Sequence, residues 1–225
     1  MFVKICGITT EEDGLLAVAM GADAVGFVFA PSSRQVAVDH ARDIARRLPP
    51  EILTVGVFRD EAPQRVVELC HRAALRVAQL HGRESPEATT WVRERVGSVI
   101  KAFPAGAAAL DSIGDYAADA IMIDSHAPGS GEVFDWSLAE GAPLGRRFIL
   151  AGGLTPANVG EAIELVKPWG VDVSTGVESS PGHKDAMKVR DFVRNARAAA
   201  PAPYEGDLEA APYDWEDEPH RRRSL

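Results

Sequence analysis

Covalent and metallic reinforcement are nearly absent from this 225-residue sequence. Its two cysteines, Cys6 and Cys70, are too few for a disulfide framework and lack metal-ligand spacing. The six histidines are scattered, so no metal site is expected. No stretch approaches the roughly 20 apolar residues that span a bilayer, which argues against a membrane partner. The opening Met1-Phe2-Val3-Lys4-Ile5-Cys6 shows no basic segment followed by an apolar run and a cleavage site. A reducing, cytoplasmic setting is therefore the expectation. Positive charge is scarce too. With 24 Lys and Arg against 33 Asp and Glu, the net charge of −9 argues against nucleic acid, whose phosphates need clustered cations. A small anion can still be held by backbone amides and one or two placed cations.

What the sequence does hold is a rhythm. Near-continuous apolar runs at Phe2–Cys6, Ala24–Phe29, Leu53–Phe58, Val77–Leu80, Val99–Phe103, Ala120–Asp124, Phe148–Ala151 and Val171–Ser174 read as eight strands buried on both faces. Helical periodicity separates most of them. Thr9-x-x-Glu12 reads as a capping box, Ser85-Pro86 and Thr155-Pro156 as capped helix starts, and Gly21 as a helix stop. Val66, Leu69, Cys70 and Ala73 form one apolar helix face. Ala107–Tyr116 and Asp135–Leu138 are weaker helical segments. The alternation predicts an α/β fold, a single-domain (β/α)8 barrel over residues 1–200. The rival, an open doubly wound sheet, wants a Gly-rich G-x-G-x-x-G after strand one. Cys6-Gly7-Ile8-Thr9 stands there instead. Residues 201–225 are acidic, with seven acids against three arginines, and carry several prolines, so they read as a flexible tail.

In such a barrel the chemistry sits where strands end at their C-terminal side. Cys6 ends strand one, Asp124 ends strand six and His81 follows strand four. Strand parity puts Phe2, Lys4 and Cys6 on one face, and Met122 with Asp124 on one face. If both faces point inward, a thiol and a carboxyl converge on the barrel mouth and can share a proton relocation. Each has a plainer reading. Cys6 can be a small buried hydrophobe, Asp124 a loop cap, His81 a loop-backbone partner, and Arg34 a solvated surface cation. Two Gly-rich turns, Ala151-Gly152-Gly153-Leu154 and Ser174-Thr175-Gly176-Val177, follow strands seven and eight, where barrels hold phosphate on bare amides. Pro128-Gly129-Ser130-Gly131 is a further loop able to close over a ligand.

Together these motifs resemble phosphoribosylanthranilate isomerases of tryptophan biosynthesis. The stretches that carry the resemblance are Lys4-Ile5-Cys6-Gly7-Ile8-Thr9, Ser33-Arg34, Val55-Gly56-Val57-Phe58, Gln79-Leu80-His81-Gly82 and Ile123-Asp124-Ser125. Gly129-Ser130-Gly131-x-x-Phe134-Asp135-Trp136, Ala151-Gly152-Gly153-Leu154-x-Pro156-x-Asn158-Val159 and Asp172-Val173-Ser174-Thr175-Gly176-Val177-Glu178 complete the series, in family order. The resemblance implies an Amadori rearrangement of N-(5-phosphoribosyl)anthranilate without a cofactor. Asp124 would be its general acid and Cys6 its general base. It implies that Arg34 meets the anthranilate carboxylate and that His81, Gly129 and Gly131 help line the pocket. Gly152, Gly153, Ser174, Thr175 and Gly176 would hold the phosphate. The expected partner is thus a small phosphoribosyl substrate, and the protein a monomer or homodimer.

Those roles carry physical demands. A thiol of ordinary pKa, about 8.5, is only slightly ionised at neutral pH, so the Cys6 pKa should be lowered, while burial should raise that of Asp124. Lys4, one inward layer below Cys6, is expected to pair with Asp172, because closure sets strands one and eight side by side. Two alternatives remain at this level: a phosphate-ligand sensor on the same barrel, and a bifunctional tryptophan/histidine-pathway isomerase, against which Cys6 counts because that design resembles an aspartate pair. A chain ending at Ala200 is expected to keep the melting transition of the full chain by circular dichroism. A lowered midpoint would show that the tail docks on the barrel.

Overall fold

The computed structural model describes residues 1–106, 113–124 and 147–200. In chain order the elements are β1 (Phe2–Cys6), α1 (Glu11–Ala19), β2 (Ala24–Val28), α2 (Val38–Ala45), β3 (Leu53–Phe58), α3 (Pro63–Arg72), β4 (Val77–Leu80), α4 (Pro86–Arg93) and β5 (Ser98–Pro104). They continue with β6 (Ala120–Asp124), β7 (Phe148–Leu150), α5 (Val159–Val166), β8 (Gly170–Val173), β9 (Glu178–Ser180), β10 (His183–Lys184) and α6 (Ala186–Ala198). Strands β1 to β8 pair in sequence order, all parallel, and β1 also pairs β8. That last pairing closes the barrel and rules out the open sheet.

Alternation along each strand sorts side chains between two compartments. Val3, Ile5, Val171 and Val173 point outward into the layer shared with the helices. Phe2, Ala24, Val55, Val77, Ile100, Met122 and Ile149 fill the barrel interior. Phe2 stacks on Trp169 at a centroid distance of 4.6 Å and seals the end opposite the site. Register sets Lys4 beside Asp172, and Lys4 Nζ donates to Asp172 Oδ1 at 2.8 Å with the lysine fully buried. The expected cross-seam pair is present.

Local signals held with informative exceptions. Ser85 caps α4, accepting from Ala88 N at 3.2 Å, and Gly21, at φ 91, follows the end of α1. The cap of α1 is Thr10 rather than Thr9. Thr9 gives its hydroxyl to the Gly182 carbonyl, and Thr10 accepts from Asp13 N. Helix α5 begins at Val159, not after Thr155. Asn158 accepts from Thr155 N at 2.7 Å and donates to the Gly153 carbonyl at 3.0 Å, folding the intervening residues into a turn. Strands β2, β7 and β8 stop one residue short of their expected ends. After β8 the cause is Ser174, whose ψ of −81 turns the chain into a 3-10 turn, Thr175–Val177. Of the weak segment 107–116, only its end is described, a 3-10 turn at 113–115 that buries Ile113. Asp135–Leu138 and the tail 201–225 lie outside the described residues. Among those described, no helix is long and apolar enough to cross a membrane.

One buried cation organises the loop that carries His81. Lys101, on the outward side of β5, donates to the carbonyls of Leu80, Gly82 and Ala102 and to Glu84 Oε2 at 2.9 Å. Glu84 in turn accepts from the amides of Asp60 and Gly82. Removing one partner of such a pair strands a buried charge. Lys101→Met is expected to lower stability by about 3–5 kcal/mol in chemical denaturation. A loss below about 1 kcal/mol would show that Glu84 finds solvent instead.

Candidate active site

The ends of β1 and β6 bring Cys6 and Asp124 to the same rim of the barrel, both buried. Their orientation follows from parity with Phe2 and Met122, which fill the interior below them. His81, directly after β4, places Nε2 3.1 Å from Asp124 Oδ2. That distance suits an ion pair with a protonated ring, but Nε2 is outside hydrogen-bond geometry among the described residues. Gln79, pointing into the barrel, sets its amide nitrogen 2.8 Å from His81 Nδ1 and 3.4 Å from Met122 Sδ. The contact ties the His81 ring to Gln79 through Nδ1 and leaves Nε2 on the Asp124 side.

The two Gly-rich turns meet at the opposite wall. Asp124, Gly152, Gly153, Ser174, Thr175 and Gly176 line one open cleft, together with Asp172. Gly152 and Gly153 take φ of 86° and 66°, a left-handed pair that other L-residues resist. A Cβ on Gly176 would lie 1.9 Å from the Leu154 carbonyl oxygen, so the loops after β7 and β8 touch only because that side chain is missing. Gly129 and Gly131 lie outside the described residues.

Arg34 reaches this rim from the loop after β2, and it does not arrive alone. Its Nε and Nη2 donate to the two carboxylate oxygens of Glu178, each at 2.7 Å. Lys184 donates to the same carboxylate at 3.0 Å and to the Ser174 carbonyl at 3.2 Å. These two partners sit on the β9–β10 hairpin, which sequence reading missed. Its strands are three and two residues long, too short for a periodic signal. Glu178 and Gln79 stood inside recognised motifs without a role attached, while nothing in the sequence marked Lys184.

Electrostatics revise one expectation. Burial pushes the Cys6 thiol up, Lys4 beside it pulls it down, and Asp172 pushes it up again; the balance lies above the ordinary cysteine value, not below it. Burial likewise pushes Lys184 down against the pull of Glu178. Glu178 is raised by burial, yet Arg34 and Lys184 outweigh that and hold it below the usual carboxylate range. Burial alone pushes Cys70 up to about 12, as suits its apolar helix face.

Comparison with known proteins identifies this arrangement. A family model described as N-(5'-phosphoribosyl)anthranilate isomerase matches residues 3–195. The chain belongs to that family. These enzymes are aldose–ketose isomerases of tryptophan biosynthesis. The N-(5'-phosphoribosyl)anthranilate isomerase of Desulforudis audaxviator is 50% identical over 204 residues, covering 88% of this chain and 98% of the relative. The crystal structure of the Thermus thermophilus phosphoribosyl anthranilate isomerase superposes with a TM-score of 0.82 at 45% identity, over 88% of this chain and 99% of that one. A third member, 40% identical with a TM-score of 0.77 and coverage of 88% and 99%, was solved in complex with reduced 1-(o-carboxyphenylamino)-1-deoxyribulose 5-phosphate.

Within this isomerase barrel, the contact between the two Gly-rich loops is open to direct test. Gly176→Ala must part them, and overpacking of this kind typically costs about 1–3 kcal/mol. Chemical denaturation of Gly176→Ala is expected to show a loss of stability on that scale. An unchanged denaturation midpoint would show that the two loops part without cost.

Proposed function

We propose that this chain converts N-(5-phosphoribosyl)anthranilate to 1-(2-carboxyphenylamino)-1-deoxyribulose 5-phosphate, with Asp124 as general acid and Cys6 as general base. The observation that carries this reading is the shared rim. A buried carboxyl lines the same cleft as two touching Gly-rich loops, and a buried thiol ends the strand next to β8.

Asp124 donates its proton to the furanose ring oxygen. The C1′–O bond breaks, the anilino nitrogen supplies its lone pair, and a protonated Schiff base forms. The Cys6 thiolate then removes the proton at C2′, and those electrons neutralise the iminium to give an enolamine. In tautomerisation to the ketone C1′ gains a proton as the C2′ hydroxyl loses one, and proton exchange with solvent returns Asp124 to its acid form and Cys6 to its thiolate. Atoms and electrons balance within the substrate, so the reaction requires no redox cofactor. His81, with Nε2 3.1 Å from Asp124 Oδ2, lines the pocket beside the acid. The backbone amides of the loops after β7 and β8 hold the phosphate. Arg34 receives the anthranilate carboxylate on the guanidinium edge that Glu178 does not occupy, Nη1 and the second hydrogen of Nη2.

The test is turnover of phosphoribosylanthranilate, followed by loss of anthranilate-type fluorescence, in wild type, Cys6→Ala and Asp124→Asn. General acid–base groups contribute about 100- to 10,000-fold, and each variant is expected to lose kcat on that scale with an unchanged circular dichroism spectrum. Near-full activity without Cys6 would overturn its role. A folded wild type without turnover would leave a barrel that only binds sugar phosphates.

A further inference from the structure

The fully buried ammonium of Lys4 is more than a partner for Asp172. Register aligns Cys6 with Gly26 on β2. A Cβ placed on Gly26 would come within 2.8 Å of Cys6 Sγ and 3.1 Å of Lys4 Nζ, so both atoms press on the same bare patch of β2. Lys4 has three N–H donors. One goes to Asp172 Oδ1 at 2.8 Å, and the ammonium lies beside Cys6 over the same glycine, close enough for its charge to act on the thiol. We propose that Lys4 is a positioning residue for the base: its ammonium, held beneath the thiol by Asp172, is the cation against which Cys6 ionises. This deepens the reading of Cys6 as general base and rests on it for the catalytic consequence.

The other charges around the thiol are accounted for. Asp172 faces it from β8, Lys184 from β10 and Arg34 from the loop after β2. Lys184 and Arg34 share the Glu178 carboxylate. Lys4 is therefore the cation left beside the sulfur, and after burial it is the largest influence on the thiol. Asp172 acts with two hands. It keeps Lys4 charged, since burial alone would push that ammonium down, and it repels the thiolate. The two partners therefore pull the thiol in opposite directions, which a merely structural lesion does not do.

The experiment is a pH titration of thiolate ultraviolet absorbance in a Cys70→Ser background, with the Cys6→Ser/Cys70→Ser protein as the blank. Alongside it runs the pH profile of kcat/KM. Lys4→Met is expected to move Cys6 ionisation, and with it the acid limb of kcat/KM, to higher pH by at least about one pH unit. Asp172→Asn is expected to move both to lower pH. Where Lys4→Met fails to fold because it strands Asp172, the Lys4→Met/Asp172→Asn protein leaves no unpaired carboxylate. Its thiol is then expected to ionise at least about one pH unit above that of Asp172→Asn. A double variant titrating like Asp172→Asn, or two single variants shifting the same way, would overturn the assignment. Thiol titrations that move as expected over a stationary kcat/KM limb would uphold it and remove Cys6 as the base.

Discussion

The seam between β1 and β8 is where this structure is decided. Parallel pairing there closes the barrel, and inside the seam Lys4 and Asp172 form an ion pair with no solvent around the lysine. Such a pair is weak evidence for net stability, because desolvating both charges offsets their attraction; leaving one charge without the other is what is costly. Its value lies in register. A one-residue slip would turn Lys4 into the apolar outer layer, aim Val3 and Ile5 into the barrel and rotate Cys6 away from the rim. The alignment that satisfies the ion pair also delivers the thiol.

Across the rim a second constraint operates through the hairpin. Its backbone is tied to α1, where Lys184 N donates to the buried Asp13, and Gly182 accepts from Thr9. Lys188 on α6 donates to the Glu178 carbonyl. The Glu178 carboxylate is thus presented to Arg34 from a braced backbone, and it fixes the plane of the guanidinium through Nε and Nη2. A bidentate internal carboxylate removes much of the rotamer freedom that Arg34 would otherwise lose on binding. In the proposed reaction, the guanidinium would thus meet the anthranilate carboxylate already oriented.

The parts legible in the sequence follow physical locality. Strands buried on both faces announced themselves as apolar runs, and β1, β3, β4 and β6 appear with the expected ends. The Lys4–Asp172 pair was readable because parity and barrel closure fix it without detailed packing. Errors arose where one polar group had several suitors. Thr9 and Thr10 both suit a helix cap, and only the distant Gly182 carbonyl decides between them. Asn158, not Thr155, organises the turn before α5. The Cys6 pKa was misjudged for a related reason. Nearby cations can be inferred from register, but the depth of burial that outweighs them is a property of the assembled barrel.

That balance bears on why a thiol stands at the end of β1. The interior beneath it already holds one carboxylate, Asp172, and one cation, Lys4, which serves it. A second permanent carboxylate in place of Cys6 would share that cation, and like charges so close force one of them to stay protonated. A neutral thiol can be buried as a small hydrophobe at little cost and needs no cation at rest. When it ionises, the ammonium below is already oriented. A two-aspartate rim would therefore need another cation within reach of the end of β1. The two nearest, Arg34 and Lys184, are both engaged by Glu178. The charge inventory of this barrel thus suits a group that is neutral at rest and only briefly anionic, as the role proposed for Cys6 requires.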